Sequence, residues 1–167
     1  MKTLILIRHA KSSWEQDALS DSERPLNERG KKDAPEMARR LRKRNVKVDA
    51  FLSSPAERAF RTARYFAKVF EVKKDEIKVE NVLYGALPSQ FEQVVAALKN
   101  KWDAVALFSH NPGITDYVNT LCSVHTDNMP TCGVFAVQAD VESWEEFTKS
   151  EKSFLFYDYP KNPLAAV

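Results

Sequence analysis

Two runs of five residues, Thr3-Leu4-Ile5-Leu6-Ile7 and Ala104-Val105-Ala106-Leu107-Phe108, are apolar at nearly every position rather than at alternate ones. A strand with one wet face alternates polar and apolar residues, so a continuous run marks a strand buried on both faces, the habit of parallel sheets. Along the rest of the chain the periodicities alternate between strand and helix. The expected fold class is therefore α/β with a largely parallel sheet.

Asn27 is placed to cap a helix running to about Arg44, with Ala34, Met37, Ala38 and Leu41 at i, i+3, i+4 and i+7 and a basic opposite face. Pro35 conflicts with it and is expected to kink the helix or to mark where its regular part begins. The stretch Arg39 to Arg44 reads as a solvated face. Val48 to Leu52 is a short strand, and Ser54-Pro55-Ala56-Glu57 reads as a capping box with proline at the first helical position. The helix it opens runs to about Phe70, with Ala59, Phe60, Ala63, Phe66, Ala67 and Phe70 as its inward stripe. Ile77 to Val82 is an expected strand, Ser89 to Leu98 a helix, and a further helix follows Gly113 to about Cys122. Gly133 to Val137 and Ser153 to Tyr157 read as closing strands around a polar connection. With no repeat and no linker, residues 1–167 are expected to form a single domain.

A chain of this length buries roughly 70% of its unfolded surface and needs neither disulfide nor metal for a core. Its 25 Lys+Arg against 23 Asp+Glu leave a charge of +2. With the signs interspersed along the chain, no broad cationic face is expected, and neither nucleic acid nor membrane is called for. Any anion site must be local. Arg8 closes the N-terminal apolar run before it reaches the core of a signal peptide or a spanning helix, which gives a cytoplasmic expectation. Cys122, His125 and Cys132 are three possible ligands without a fourth, so they read as two reduced cysteines and a histidine, with no metal. The chain has four glycines and no nucleophile elbow, Walker loop or dinucleotide fingerprint, so no cofactor is expected.

Histidine and arginine at strand ends remain. Arg8 and His9 directly follow the first buried strand, Arg58 lies in the first turn of the helix after the second, and His110 directly follows the strand Ala104 to Phe108. In an open parallel sheet such positions converge on the crevice beyond the carboxyl ends of the strands. Taken singly, a histidine after a strand is a packed residue and an arginine on a helix is a surface one. Taken together, two imidazoles and two guanidiniums at one place suit phosphoryl transfer through a histidine, because guanidinium forks match phosphate oxygens and neutral imidazole attacks phosphorus.

Leu6-Ile7-Arg8-His9-Ala10-Lys11-Ser12, Arg24-Pro25-Leu26-Asn27-Glu28-Arg29-Gly30, Ser53-Ser54-Pro55-Ala56-Glu57-Arg58-Ala59 running into Thr62-Ala63, and Ser109-His110-Asn111-Pro112-Gly113 resemble the histidine phosphatase superfamily. The Arg-His-Ala-Lys-Ser form resembles its small phosphohistidine phosphatase (SixA-like) branch. The resemblance implies a three-layer α/β/α, phosphoglycerate-mutase-like fold. It also implies that His9 is the nucleophile that becomes phosphorylated, that Arg8, Arg58 and His110 hold the phosphoryl oxygens, and that water then releases phosphate without a metal. Lys11 either joins the phosphate or is a solvated loop lysine, and Trp14 is either a rim contact or packed. Ser12, Ser13 and Asn111 read as loop-orienting residues.

Two positions depart from the wider superfamily. Ala10 stands where many members have glycine, a small change shared with the SixA-like branch. Asn111 stands where the acid phosphatase and phytase branch has an aspartate acid, and Glu80, Asp17 and Asp21 are candidates for that role without a matching motif. A weak or absent acid favours a phosphorus–nitrogen substrate, since imidazole leaves with less help than an alkoxide. The expected activity is hydrolysis of protein phosphohistidine. The alternatives are a phosphatase of small phosphate or pyrophosphate esters, a mutase, and a non-catalytic phosphoprotein-binding module.

Overall fold

The computed structural model describes residues 1–15 and 19–163. Strands β1 (Lys2–Arg8), β2 (Ala50–Ser53), β3 (Lys78–Val79), β4 (Ala104–Ser109), β5 (Val134–Ala139) and β6 (Ser153–Asp158) form one six-stranded sheet in the order β3-β2-β4-β1-β5-β6. The four from β3 to β1 are parallel, whereas β5 and β6 run antiparallel to their neighbours. Five α-helices accompany them: α1 (Glu28–Lys43), α2 (Glu57–Val69), α3 (Pro88–Ala96), α4 (Gly113–Leu121) and α5 (Trp144–Lys149).

Alternate side chains of the central strands enter two separate cores, which is why their sequences are apolar throughout. Ile5, Ile7, Ala106 and Phe108 face Met37 and Leu41 of α1 and Ala63 and Phe66 of α2. Leu4, Leu6, Val105 and Leu107 face Phe91 of α3, Tyr117 of α4 and Trp144 of α5. The result is a three-layer α/β/α fold in which each such Leu, Ile or Phe contributes about 1.5–3 kcal/mol by leaving water. No helix among the described residues is long and apolar enough to cross a membrane.

Several local expectations are corrected. Pro35 does not mark the start of α1, because the helix begins at Glu28, where Asn27 Oδ1 accepts the Gly30 N–H at 2.9 Å. That first turn presses on the loop after β1: a Cβ on Gly30 would stand 2.1 Å from the Lys11 carbonyl oxygen, so only glycine allows the approach. Ser54 does not cap α2, whose N-cap is Ala56; the Ser54 hydroxyl instead accepts the Ala56 N–H at 3.2 Å. The strand expected over Ile77 to Val82 is cut to Lys78–Val79, because it pairs only with the end of β2. The polar connection before β6 contains α5, which buries Trp144 and Phe147 and is capped by Ser143.

Arg40 is not part of a solvated face. Its guanidinium donates to the carbonyls of Tyr159 (3.1 Å) and Pro160 (3.2 Å) and pairs with Asp158, fastening the end of β6 to α1. Nor are the charges interspersed in space. The α1/α2 layer is cationic, with seven Lys+Arg against three acids in α1 and four against one in α2. In the opposite layer α3 and α4 carry one acid each and no cation, and α5 carries two acids and one lysine.

Candidate active site

Register brings the site together. In the adjacent strands β2, β4 and β1, Ser53 and Ile7 both stand beside Phe108, so Ser54, His110 and His9 leave the sheet at nearly one level. The ladder continues past the strands: the Ser54 N–H donates to the Phe108 carbonyl at 3.0 Å and the His9 N–H to the Ser109 carbonyl at 3.1 Å. The first turn of α2 is tied to the loop after β1 through Thr62, whose hydroxyl accepts the Ala10 N–H at 3.0 Å and donates to the Arg58 carbonyl at 2.7 Å.

Arg8, His9, Lys11, Arg58 and His110, the five residues expected at the site, line one cleft of about 370 Å³. The His9 and His110 rings lie 5.2 Å apart. His9 Nδ1 is 2.7 Å from the Ala10 carbonyl oxygen, which can only accept, so Nδ1 carries the proton and Nε2 the lone pair. Burial, followed by the nearby His110, Arg58 and Arg8, lowers the His9 pKa to about 3, although the Ala10 hydrogen bond opposes the shift. Burial and Arg58 lower His110 to about 4. Both rings are therefore neutral at physiological pH.

Tyr84, which the sequence does not single out, and residues given other or open roles there complete the cleft. Ser54 Oγ lies 2.7 Å from His110 Nε2, fixing that ring, and Tyr84 meets the same ring edge-on at 5.4 Å. Arg24, buried in the loop after β1, donates to Ser12 Oγ at 3.0 Å and stacks on Trp14, which is thereby a rim residue 73% exposed. Asn111 orients the opposite wall, donating to Asn128 Oδ1 and accepting from the Thr115 hydroxyl, both at 2.5 Å.

Among the described residues the cleft has one carboxylate, Asp21. Arg58 donates to its Oδ2 at 3.0 Å and to its backbone carbonyl at 2.7 Å, and the Tyr84 hydroxyl donates to Oδ2 at 2.5 Å. The Tyr84 hydrogen bond and then Arg58 hold the Asp21 carboxyl below the usual carboxylate range, so it is ionised. Glu80 lies elsewhere, in a cavity of about 400 Å³ beneath the sheet edge with Lys78 and Trp102. Asp17 lies outside the described residues.

Arg8 Nε, Arg58 Nε, Arg24 Nε and Nη1, and His110 Nδ1 are buried without a hydrogen-bond partner among the described residues, although Arg24 Nε lies in an ion pair 3.5 Å from Asp21 Oδ1. Such groups cost about 1–3 kcal/mol each when nothing accepts from them. Their concentration around one cleft is what an oxyanion site requires. Among the described residues no group of three or more His, Cys, Asp or Glu side chains is placed to hold a metal.

An α/β sheet that aims two neutral imidazoles and three guanidiniums past its strand ends defines a phosphate-handling hydrolase. The histidine phosphatase superfamily (branch 1) matches residues 4–113, and the chain belongs to that superfamily and is a phosphatase. An uncharacterized chloroplastic protein of Arabidopsis thaliana is 28% identical over 157 residues, covering 87% of this chain and 70% of the relative. The protein histidine phosphatase SixA complexed with tungstate is 25% identical and superposes with a TM-score of 0.79 over 95% of this chain and 97% of its own. A mycobacterial glucosyl-3-phosphoglycerate phosphatase complexed with VO3 shares the fold at 14% identity, with a TM-score of 0.74 over 95% of this chain and 100% of its own.

Proposed function

We propose that the chain hydrolyses protein phosphohistidine through a covalent phospho-His9 intermediate, without a metal. The observation that carries this reading is the state of the one described carboxylate in the cleft: Asp21 is ionised and bonded to Arg58 and Tyr84, so it has no proton to give a leaving alkoxide. A histidine leaving group makes no such demand.

Arg8, Arg58, His110 and Lys11 bind the phosphoryl oxygens and offset their charge as it spreads in the transition state. The lone pair of His9 Nε2 attacks phosphorus as the phosphorus–nitrogen bond of the substrate breaks. The substrate ring carries a proton on its other nitrogen before attack, so the electrons of the breaking bond leave it as neutral imidazole and no acid from the enzyme is needed. His9 keeps its Nδ1 proton throughout, and the Ala10 carbonyl stabilises the cationic phosphoimidazole. Water then attacks phosphorus, the bonding pair of the His9 Nε2–phosphorus bond returns to Nε2, and phosphate leaves with the protons of that water, passing the excess to solvent.

Phosphate release is compared for a phosphohistidine-bearing protein domain and an alkyl phosphate monoester, with EDTA throughout. Phosphohistidine is expected to be preferred by at least about a hundredfold, the scale of a missing general acid. Equal or faster ester turnover replaces this reading with a phosphatase of small phosphoesters. Turnover of neither substrate leaves a binding module.

The pH dependence follows from the two neutral histidines. An ordinary imidazole loses nucleophilicity as pH falls through 6.5, but His9 stays neutral down to about 3. After correction for substrate ionisation, kcat/KM is expected to show no histidine limb between pH 7 and pH 5, a window taken from that shift. A loss of tenfold or more across this window contradicts the assignment. The same shift destabilises the protein in acid, since both histidines protonate in the unfolded chain below 6.5 and resist protonation when folded.

A further inference from the structure

A second cleft, of about 340 Å³, lies on the flank of α2 away from the active site. Arg61, Arg64, Lys68 and Lys74 line it over an apolar floor that includes Tyr65 and Val72, and among the described residues no acidic one is in its lining. Arg61 is paired with Glu57 at 3.0 Å. Arg64, Lys68 and Lys74 make no ion pair or side-chain hydrogen bond among the described residues. Glu71, Asp75 and Glu76 are nearby in sequence but do not enter the cleft.

This concentration of charge is an arrangement rather than a consequence of composition, since the whole chain carries only +2. Its position is also specific. Arg58, in the first turn of the same helix, reaches the phosphoryl site, and Arg61, Arg64 and Lys68 follow along one flank. At 1.5 Å per residue, Arg64 and Lys68 lie about 9 and about 15 Å further along the axis. An extended peptide covers about 3.3 Å per residue, so those spans correspond to about three to five residues.

We propose that this cleft docks an acidic segment of the protein substrate, with Asp or Glu about three to five residues from the phosphohistidine. Unpaired cations answer the carboxylates, and the Tyr65 and Val72 floor takes the apolar parts of the segment. An apolar-floored cleft of this size admits side chains but not a nucleic-acid duplex. The inference rests on the reading of the chain as a protein phosphohistidine phosphatase, and it extends that reading from the reacting group to the sequence around it.

The test uses two phosphohistidine peptides, one with Asp and Glu at those positions and one with Asn and Gln in their place. Fluorescent versions carrying a non-hydrolysable phosphohistidine analogue report binding. The wild type is expected to bind and hydrolyse the acidic peptide about tenfold better at low salt, and to lose the preference at high salt. Arg64→Glu with Lys68→Glu is expected to reverse the preference, and Arg64→Gln with Lys68→Gln to abolish it. Neither variant should change aryl phosphate turnover, because both residues lie outside the active site. Equal binding of the two peptides by the wild type, or an unchanged acidic preference in both variants, overturns the docking surface even if both peptides are hydrolysed. Charge-dependent binding without hydrolysis of either peptide supports the surface and refutes the phosphohistidine activity instead. A DNA duplex that binds more tightly than the acidic peptide, and is lost in the glutamate variant, overturns the proposal in favour of nucleic acid.

Discussion

His9→Ala protein is expected to remain folded and to release no phosphate, with kcat falling by at least about a thousandfold and no phosphoenzyme formed. The fold should survive because, among the described residues, the His9 side chain makes one hydrogen bond, to the carbonyl of its own neighbour Ala10. The contacts that hold the loop are made by the backbone, through the His9 N–H to Ser109 and the Cys132 N–H to the His9 carbonyl at 3.0 Å. The second imidazole is no substitute nucleophile: its ring lies 5.2 Å away, and its Nε2 is engaged with Ser54. Circular dichroism, acid-quenched phosphoenzyme trapping and phosphate release together check the result. A folded His9→Ala protein with wild-type turnover excludes the covalent mechanism.

The part of this site that can be read along the chain is the part set by local pattern. Continuous apolar runs identify β1 and β4, and the residues immediately after them are Arg8-His9 and His110. Arg58 follows from the start of a helix with a clear inward stripe. What escapes such reading is fixed by contacts distant in sequence. Ser54 has the spacing of a helix cap, yet its hydroxyl serves His110, fifty-six residues on. Arg24 sits in a polar loop with no periodicity, and it is the bridge between Ser12 and Leu26, with the Trp14 stack, that turns it toward the cleft. Helix α5 is six residues long, too short for a hydrophobic period, although Ser143 and Glu146 carry the spacing of a capping box. The cationic layer is hidden for a different reason. Charges that mix along the sequence separate in space because α1 and α2 pack on one face of the sheet and α3 to α5 on the other.

Arg58→Ala is expected to raise KM and lower kcat together, with kcat/KM falling by about a thousandfold, the range for losing a donor that follows the transferring charge. The loss is more than one cation. Arg58 holds Asp21 by two hydrogen bonds, to the backbone carbonyl at 2.7 Å and to Oδ2 at 3.0 Å. Without the guanidinium, a carboxylate remains in the cleft, held by the Tyr84 hydrogen bond and the Arg24 ion pair at 3.5 Å, and it repels the incoming phosphoryl dianion. Arg58→Lys should recover little, since one ammonium cannot grip Asp21 at two points and still present a planar edge to phosphate. The double variant Arg58→Ala with Asp21→Asn separates the two effects. If repulsion by the freed carboxylate contributes, the double variant has a lower KM than Arg58→Ala while kcat stays depressed. If kcat recovers as well, Arg58 acts mainly by neutralising Asp21 and not on the transition state. An Arg58→Ala enzyme with only KM altered points to ground-state binding alone, and the phosphoryl-transfer role then falls to Arg8 and His110.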